Sequence, residues 1–207
     1  MELSAVGLYD RYLGFRIRLA SEALPETVAV VITERDLLTA GAYETLAAFL
    51  GWAFEYDASR VVIYVSVLDE EVVPTLERQF ESVDSPQPVA VRLPGDDSRA
   101  AEPVQVSIGL GGKHEFAGAV RGIAEEVAAG ELPADSITEA DVERRLVFPV
   151  DPDIVIKTGA ERLSDFMIWQ SVYSELYFTD VNWEHFRRRD YLRALRDYQK
   201  RQRRFGT

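Results

Sequence analysis

Cysteine is absent from this 207-residue chain, and lysine occurs only at Lys113, Lys157 and Lys200. Without thiols there are no disulfides and no thiolate metal sites. The two histidines, His114 and His185, are too few and too far apart in sequence to form a histidine-based metal site, and both read as surface or interface residues. No apolar run approaches the roughly 20 residues needed to span a bilayer. No secretory leader is visible either, because the opening MELSAVGLYDRYLGFRIRLASEAL is amphipathic and charged rather than apolar. These absences predict a soluble, cytoplasmic protein for which contact with a membrane surface, as a peripheral protein, stays open. There is no internal repeat and no disordered linker, so a single domain over residues 1–207 is expected.

What is abundant is acid: 35 Asp and Glu against 23 Lys and Arg give a net charge of −12. Acid-rich, lysine-poor composition is what a salty cytoplasm favours, since carboxylates keep a surface hydrated. The carboxyl-terminal segment breaks the pattern. Between residues 185 and 204, Arg187, Arg188, Arg189, Arg193, Arg196, Lys200, Arg201, Arg203 and Arg204 face only Asp190 and Asp197. Such a segment either lies on its own acidic body or points at an anion. Nucleic acid is excluded as a partner, because the rest of the chain would repel it.

Apolar strand-like runs alternate with amphipathic helix-like runs, which predicts an α/β fold with a mostly parallel sheet flanked by helices. Helices are expected over about 5–22, 40–56, 69–83, 111–129, 138–145 and 164–172, with a long basic helix over 183–204. Strands are expected at 28–33, 61–66, 88–92, 104–109, 154–156 and 175–178. Ser136 and Glu139 fit a capping box ahead of the helix at 138. Gly111-Gly112-Lys113 reads as a structural strand-to-helix turn.

The chemistry concentrates in DPDIVIKTGAERLSDFMIWQSVYSELYFTD, residues 151–180. A short apolar strand there runs into Lys157-Thr158-Gly159, with Arg162 and Ser164 close behind. Cations, hydroxyls and a glycine at the carboxyl end of a strand suit a phosphate, and ligands of open α/β sheets bind at such ends. Trp169, Tyr173, Tyr177, Phe178 and Trp183 have spacings that suit core and subunit packing better than ligand stacking.

This stretch, with Arg204-Phe205-Gly206 near the chain end, resembles the cis-prenyltransferase family, the undecaprenyl and dehydrodolichyl diphosphate synthases. The resemblance is strong from about Val104 to Gly206 and implies the undecaprenyl diphosphate synthase-like fold. It further implies that Lys157, Arg162 and Ser164 bind the diphosphate of isopentenyl diphosphate. Lys157 stands where the family has arginine, which keeps the charge but loses the bidentate fork. Glu175 matches a glutamate that helps hold Mg²⁺ in the family. Arg204 and Gly206 match an Arg-x-Gly motif that crosses a dimer interface to the other subunit's isopentenyl diphosphate.

The amino-terminal half departs from that family. Its first strand ends in a Met-Asp-Gly-Asn-x-Arg-Trp-Ala motif whose aspartate organises Mg²⁺ and the allylic diphosphate. Here VAVVI ends in Thr33-Glu34-Arg35-Asp36, with Thr33 at the aspartate position. Losing one element that stabilises a leaving group commonly costs 10²–10³ in rate, so no catalytic residue is assigned to this chain. The resemblance is closest to the non-catalytic, Nogo-B receptor-like subunit. It implies a heterodimer with a catalytic homologue that makes long-chain polyprenyl diphosphate for a glycan carrier lipid, with Mg²⁺ serving the complex. Two alternatives stay open. One is a divergent polyprenyl diphosphate synthase, active on its own, that uses Glu34 or Asp36. The other is a homodimer that senses isopentenyl diphosphate.

Overall fold

The computed structural model describes residues 5–96, 101–109, 111–148, 151–159 and 167–205. In chain order the elements are α1 (Ala5–Leu19), β1 (Thr27–Thr33), α2 (Glu34–Leu37), α3 (Ala42–Glu55), β2 (Arg60–Ser66), α4 (Val73–Glu81) and β3 (Val89–Arg92). They continue with β4 (Val104–Ile108), α5 (Gly112–Ala128), α6 (Glu139–Glu143), β5 (Ile154–Thr158), β6 (Glu175–Thr179) and α7 (Arg188–Phe205). Among the described residues six strands form one sheet in the order β3-β4-β2-β1-β5-β6, and every pairing is parallel.

Strands covered on both faces read as unbroken apolar runs, and the central ones do so here. VAVVI of β1, VVIYV of β2 and IVI of β5 are buried along their length. The outer strands β3 and β6 are mostly half-buried. Alternation along β1 sends Val28, Val30 and Ile32 into one cluster and Ala29 and Val31 into the other. The first cluster is the main core, where α1, α3 and α7 contribute Leu13, Ile17, Phe49, Leu50, Tyr191 and Leu195. Trp183 anchors it: the indole is fully buried, stacks on Phe186 at 5.7 Å and donates Nε1–H to the Ala42 carbonyl at 3.0 Å. The second cluster is small, with Tyr64, Val147, Phe148, Val155 and Met167 over the opposite face.

Strand positions follow the Val/Ile runs to within two residues, whereas helix boundaries moved where side chains decided them. The cap ahead of α6 is Thr138 with Asp141, not Ser136 with Glu139. The Thr138 backbone N–H and hydroxyl both donate to Asp141 Oδ2 at 2.7 Å, while Ser136 closes a 3₁₀ turn onto the Pro133 carbonyl. The expected helix over 164–172 lies partly outside the described residues. Its described part, after Met167 at φ +33°, consists of turns. The basic helix begins at Arg188, because Asp190 accepts from the Arg187 N–H at 3.0 Å and Trp183–His185 forms a separate 3₁₀ turn.

Candidate functional site at the carboxyl edge of the sheet

β1 sends its connection to β2 on one side and has β5 on the other, so the chain order reverses at the β1–β5 boundary. The crevice outside such a reversal is where open α/β sheets bind ligands. On the β1 side, Thr33 caps α2. Its hydroxyl donates to Asp36 Oδ2 at 2.7 Å, and Asp36 N–H donates back to Thr33 Oγ1 at 3.2 Å. Glu34 is buried, and its Oε2 accepts the backbone N–H groups of Leu68 at 2.9 Å and Asp69 at 3.1 Å. The carboxylate thus staples the end of β1 to the loop after β2.

On the β5 side, Lys157 is buried, with its Nζ donating to the Thr158 carbonyl at 2.9 Å. Thr158 is also buried, and its Oγ1 has no hydrogen-bond partner among the described residues. Gly159 takes φ +74°, a conformation that favours glycine, and donates its N–H to Val181 O at 3.1 Å. Arg162, Ser164 and Gly206 lie outside the described residues. Arg204 falls in α7, and only its backbone is described.

Glu175 is elsewhere. It opens β6 opposite Ile154, at the amino edge of the sheet, whereas Thr158 is four residues further along β5. At about 3.3 Å per residue this puts about 13 Å of strand between them. Its carboxylate is held by the Arg201 guanidinium at 2.9 Å, and Arg201 also pairs with Asp197 at 3.0 Å. Among the described residues no group of three or more His, Cys, Asp or Glu could hold a metal ion. A hard cation requires several oxygen ligands, so the described surroundings of Glu175 do not fit Mg²⁺.

Two buried polar features went unnoticed in the sequence. Glu115, in the first turn of α5, accepts the N–H groups of Val147 at 2.7 Å and Phe148 at 3.0 Å. The Gln170 amide also reaches both Glu115 oxygens at 3.2 Å. Gly112 lets this unit close: a Cβ there would come within 2.9 Å of the Ile168 backbone nitrogen. The second is Arg92 at the end of β3. It is fully buried over the Phe148 ring at 4.7 Å, and burial lowers its pKa while Asp96, Glu115 and Glu102 offset the shift. An arginine closing the apolar run PVAV was the available signal.

The fold and its strand ends define an α/β protein whose polar groups gather at the carboxyl edge of a parallel sheet. The prenyltransferase family model, described as "Putative undecaprenyl diphosphate synthase", matches residues 95–206, just over half of the chain. The chain belongs to this cis-prenyltransferase family. It is 50% identical over 109 residues to a tritrans,polycis-undecaprenyl-diphosphate synthase (geranylgeranyl-diphosphate specific) of Methanocaldococcus jannaschii, a stretch covering 50% of this chain and 39% of that relative. It is 46% identical over 110 residues to a short-chain Z-isoprenyl diphosphate synthase of Mycobacterium leprae, covering 50% of this chain and 42% of the relative. The matched stretch therefore spans well under half the length of these relatives. The crystal structure of lavandulyl diphosphate synthase from Lavandula x intermedia, in complex with dimethylallyl diphosphate, superposes with a TM-score of 0.69 at 25% identity. That superposition covers 85% of this chain and 95% of the other.

Proposed function

We propose that this chain is the non-catalytic member of a heteromeric cis-prenyltransferase that makes long-chain polyprenyl diphosphate. The observation that carries this reading is the end of β1. Prenyl transfer ionises an allylic diphosphate, and the charge developing on the leaving group must meet donors placed in advance. Here the Thr33 hydroxyl and the Asp36 carboxylate are spent on each other. The backbone N–H groups of Leu68 and Asp69, in the loop after β2, are covered by the chain's own anion, Glu34. The same bonds argue against either carboxylate serving as a replacement catalytic group.

What the chain contributes is a scaffold and a tail. Lys157, Arg162 and Ser164 supply an isopentenyl diphosphate half-site. Arg204 and Gly206 reach over the diphosphate bound by the catalytic partner. The divalent cation belongs to that partner rather than to Glu175. Exposed apolar side chains support this reading: Phe116 and Val120 of α5 lie open, as do Ile168, Val172 and Tyr173 of the turns before β6, with Trp169 stacked on Phe116 at 5.9 Å.

The test mixes the purified chain with an aspartate-containing homologue from the same source, labelled isopentenyl diphosphate, an allylic diphosphate and Mg²⁺. The expected result is a rate well above that of the homologue alone, and a loss of the increment when Arg204–Thr207 are deleted. An unchanged rate on mixing would overturn the heteromer, and full activity without residues 204–207 would remove the tail from the mechanism.

A further inference from the structure

We propose that α1 is a docking surface for an anionic lipid bilayer, an inference independent of the transferase reading. One side of α1 is committed to the fold: Leu13 and Ile17 are buried in the main core, and a Cβ at Gly14 would overlap the Tyr56 hydroxyl. The other side carries Leu8, Tyr12, Phe15 and Leu19, which are 53–67% exposed. At 3.6 residues per turn these four fall within an arc of about 60°. A stripe this narrow and apolar, turned away from the core, contributes nothing to the fold.

The charge around the stripe says what covers it. On the same wheel Arg16 flanks it on one side, and Arg11 and Arg18 flank it on the other. Asp10 is the only acid between Ala5 and Leu19 and lies towards the packed side. Arg18 is partly engaged with Glu55 at 3.2 Å, and Arg16 lies against Tyr12. Beside the stripe, Arg16 shares a cleft of about 210 Å³ with Arg196 and Lys200 of α7, and with Glu22. On a chain of net charge −12, this is a local concentration of cations around an apolar strip. That is the arrangement of a helix lying in the membrane interface, with its apolar side chains at the acyl boundary and arginine heads reaching the phosphates. A protein partner would equally cover the apolar strip, but the cations on both flanks fit a plane of negative charge. No helix among the described residues is long and apolar enough to cross a membrane; the contact proposed is surface binding by α1.

The test is co-sedimentation of the full chain with phosphatidylcholine vesicles, with and without about one part in four of phosphatidylglycerol. Each juxtamembrane cation is worth about fivefold in partition at low salt. The wild type is therefore expected to pellet with anionic vesicles and to stay in solution with neutral ones. Arg11→Glu with Arg16→Glu is expected to cut partition more than tenfold. Phe15→Asp alone is expected to weaken it comparably, and circular dichroism checks that each variant keeps its fold. Three outcomes would overturn the proposal: no binding to anionic vesicles, binding indifferent to these substitutions, or a dimer of the wild type that Phe15→Asp converts to monomer.

Discussion

The two sides of the β1–β5 crevice differ in how completely their polar groups are paired within the chain. At β1 they are paired within the chain: Thr33 with Asp36, and Glu34 with the amides of Leu68 and Asp69. At β5, Lys157 and Thr158 are buried beside a glycine in a left-handed conformation, and the Thr158 hydroxyl has no hydrogen-bond partner among the described residues. The family match follows the same division, since it covers residues 95–206 and leaves out β1 and β2, although the sheet they build is retained. A parallel sheet tolerates this because its central strands need only Val and Ile in register. The residues beyond each strand end are free to change without cost to the core.

That contrast is testable by breaking each side. The largest effect is expected from Glu115→Ala, which orphans the buried N–H groups of Val147 and Phe148 and strips Gln170 of its partner. Urea unfolding should show a loss of about 2–4 kcal/mol. A loss below about 1 kcal/mol would mean that the carboxyl-terminal half does not depend on this carboxylate. Gly112→Ala should follow at about 1–3 kcal/mol, because the new methyl meets backbone rather than a side chain that could move. Glu34→Ala should cost about 1–2 kcal/mol by thermal melting, since Leu68 and Asp69, which it holds, are exposed and water replaces part of the bonding. The same variant is expected to gain no transferase activity, and turnover from it would show that Glu34 alone had closed the site. The smallest effect belongs to Arg201→Ala. Its pair with Glu175 is 37% and 20% exposed, so less than about 1 kcal/mol is expected from denaturant titration. A larger loss would show that Glu175 requires this partner, strengthening the assignment of Glu175 to the scaffold.

Much of the fold was legible in the sequence, for a specific reason. Runs such as VAVVI and VVIYV permit little besides a buried strand, and among the described residues β1 to β5 fall on such runs or shorter versions of them, with β6 on Leu-Tyr-Phe. The caps were less legible, because hydroxyl–acid pairs three residues apart occur at both Ser136–Glu139 and Thr138–Asp141, and the pattern alone does not rank them, although only the second pair bonds as a box. The site divides similarly. The departure at Thr33 was visible, but the use of Glu34 as a staple was not, because its partners lie 34 and 35 residues away. The Glu115–Gln170 bond spans 55 residues and left no local pattern. Glu175 shows a subtler limit. It follows Lys157 by 18 residues and reads as its neighbour, yet a parallel strand must start again from the amino edge. Proximity in sequence therefore became distance along the sheet.

The central claim is that the end of β1 no longer supports ionisation of an allylic diphosphate. Its most direct test is turnover by the purified chain alone, with labelled isopentenyl diphosphate, an allylic diphosphate and Mg²⁺, with extracted polyprenyl product as the readout. The account predicts no product above the enzyme-free control. Steady product formation by the chain alone would contradict it.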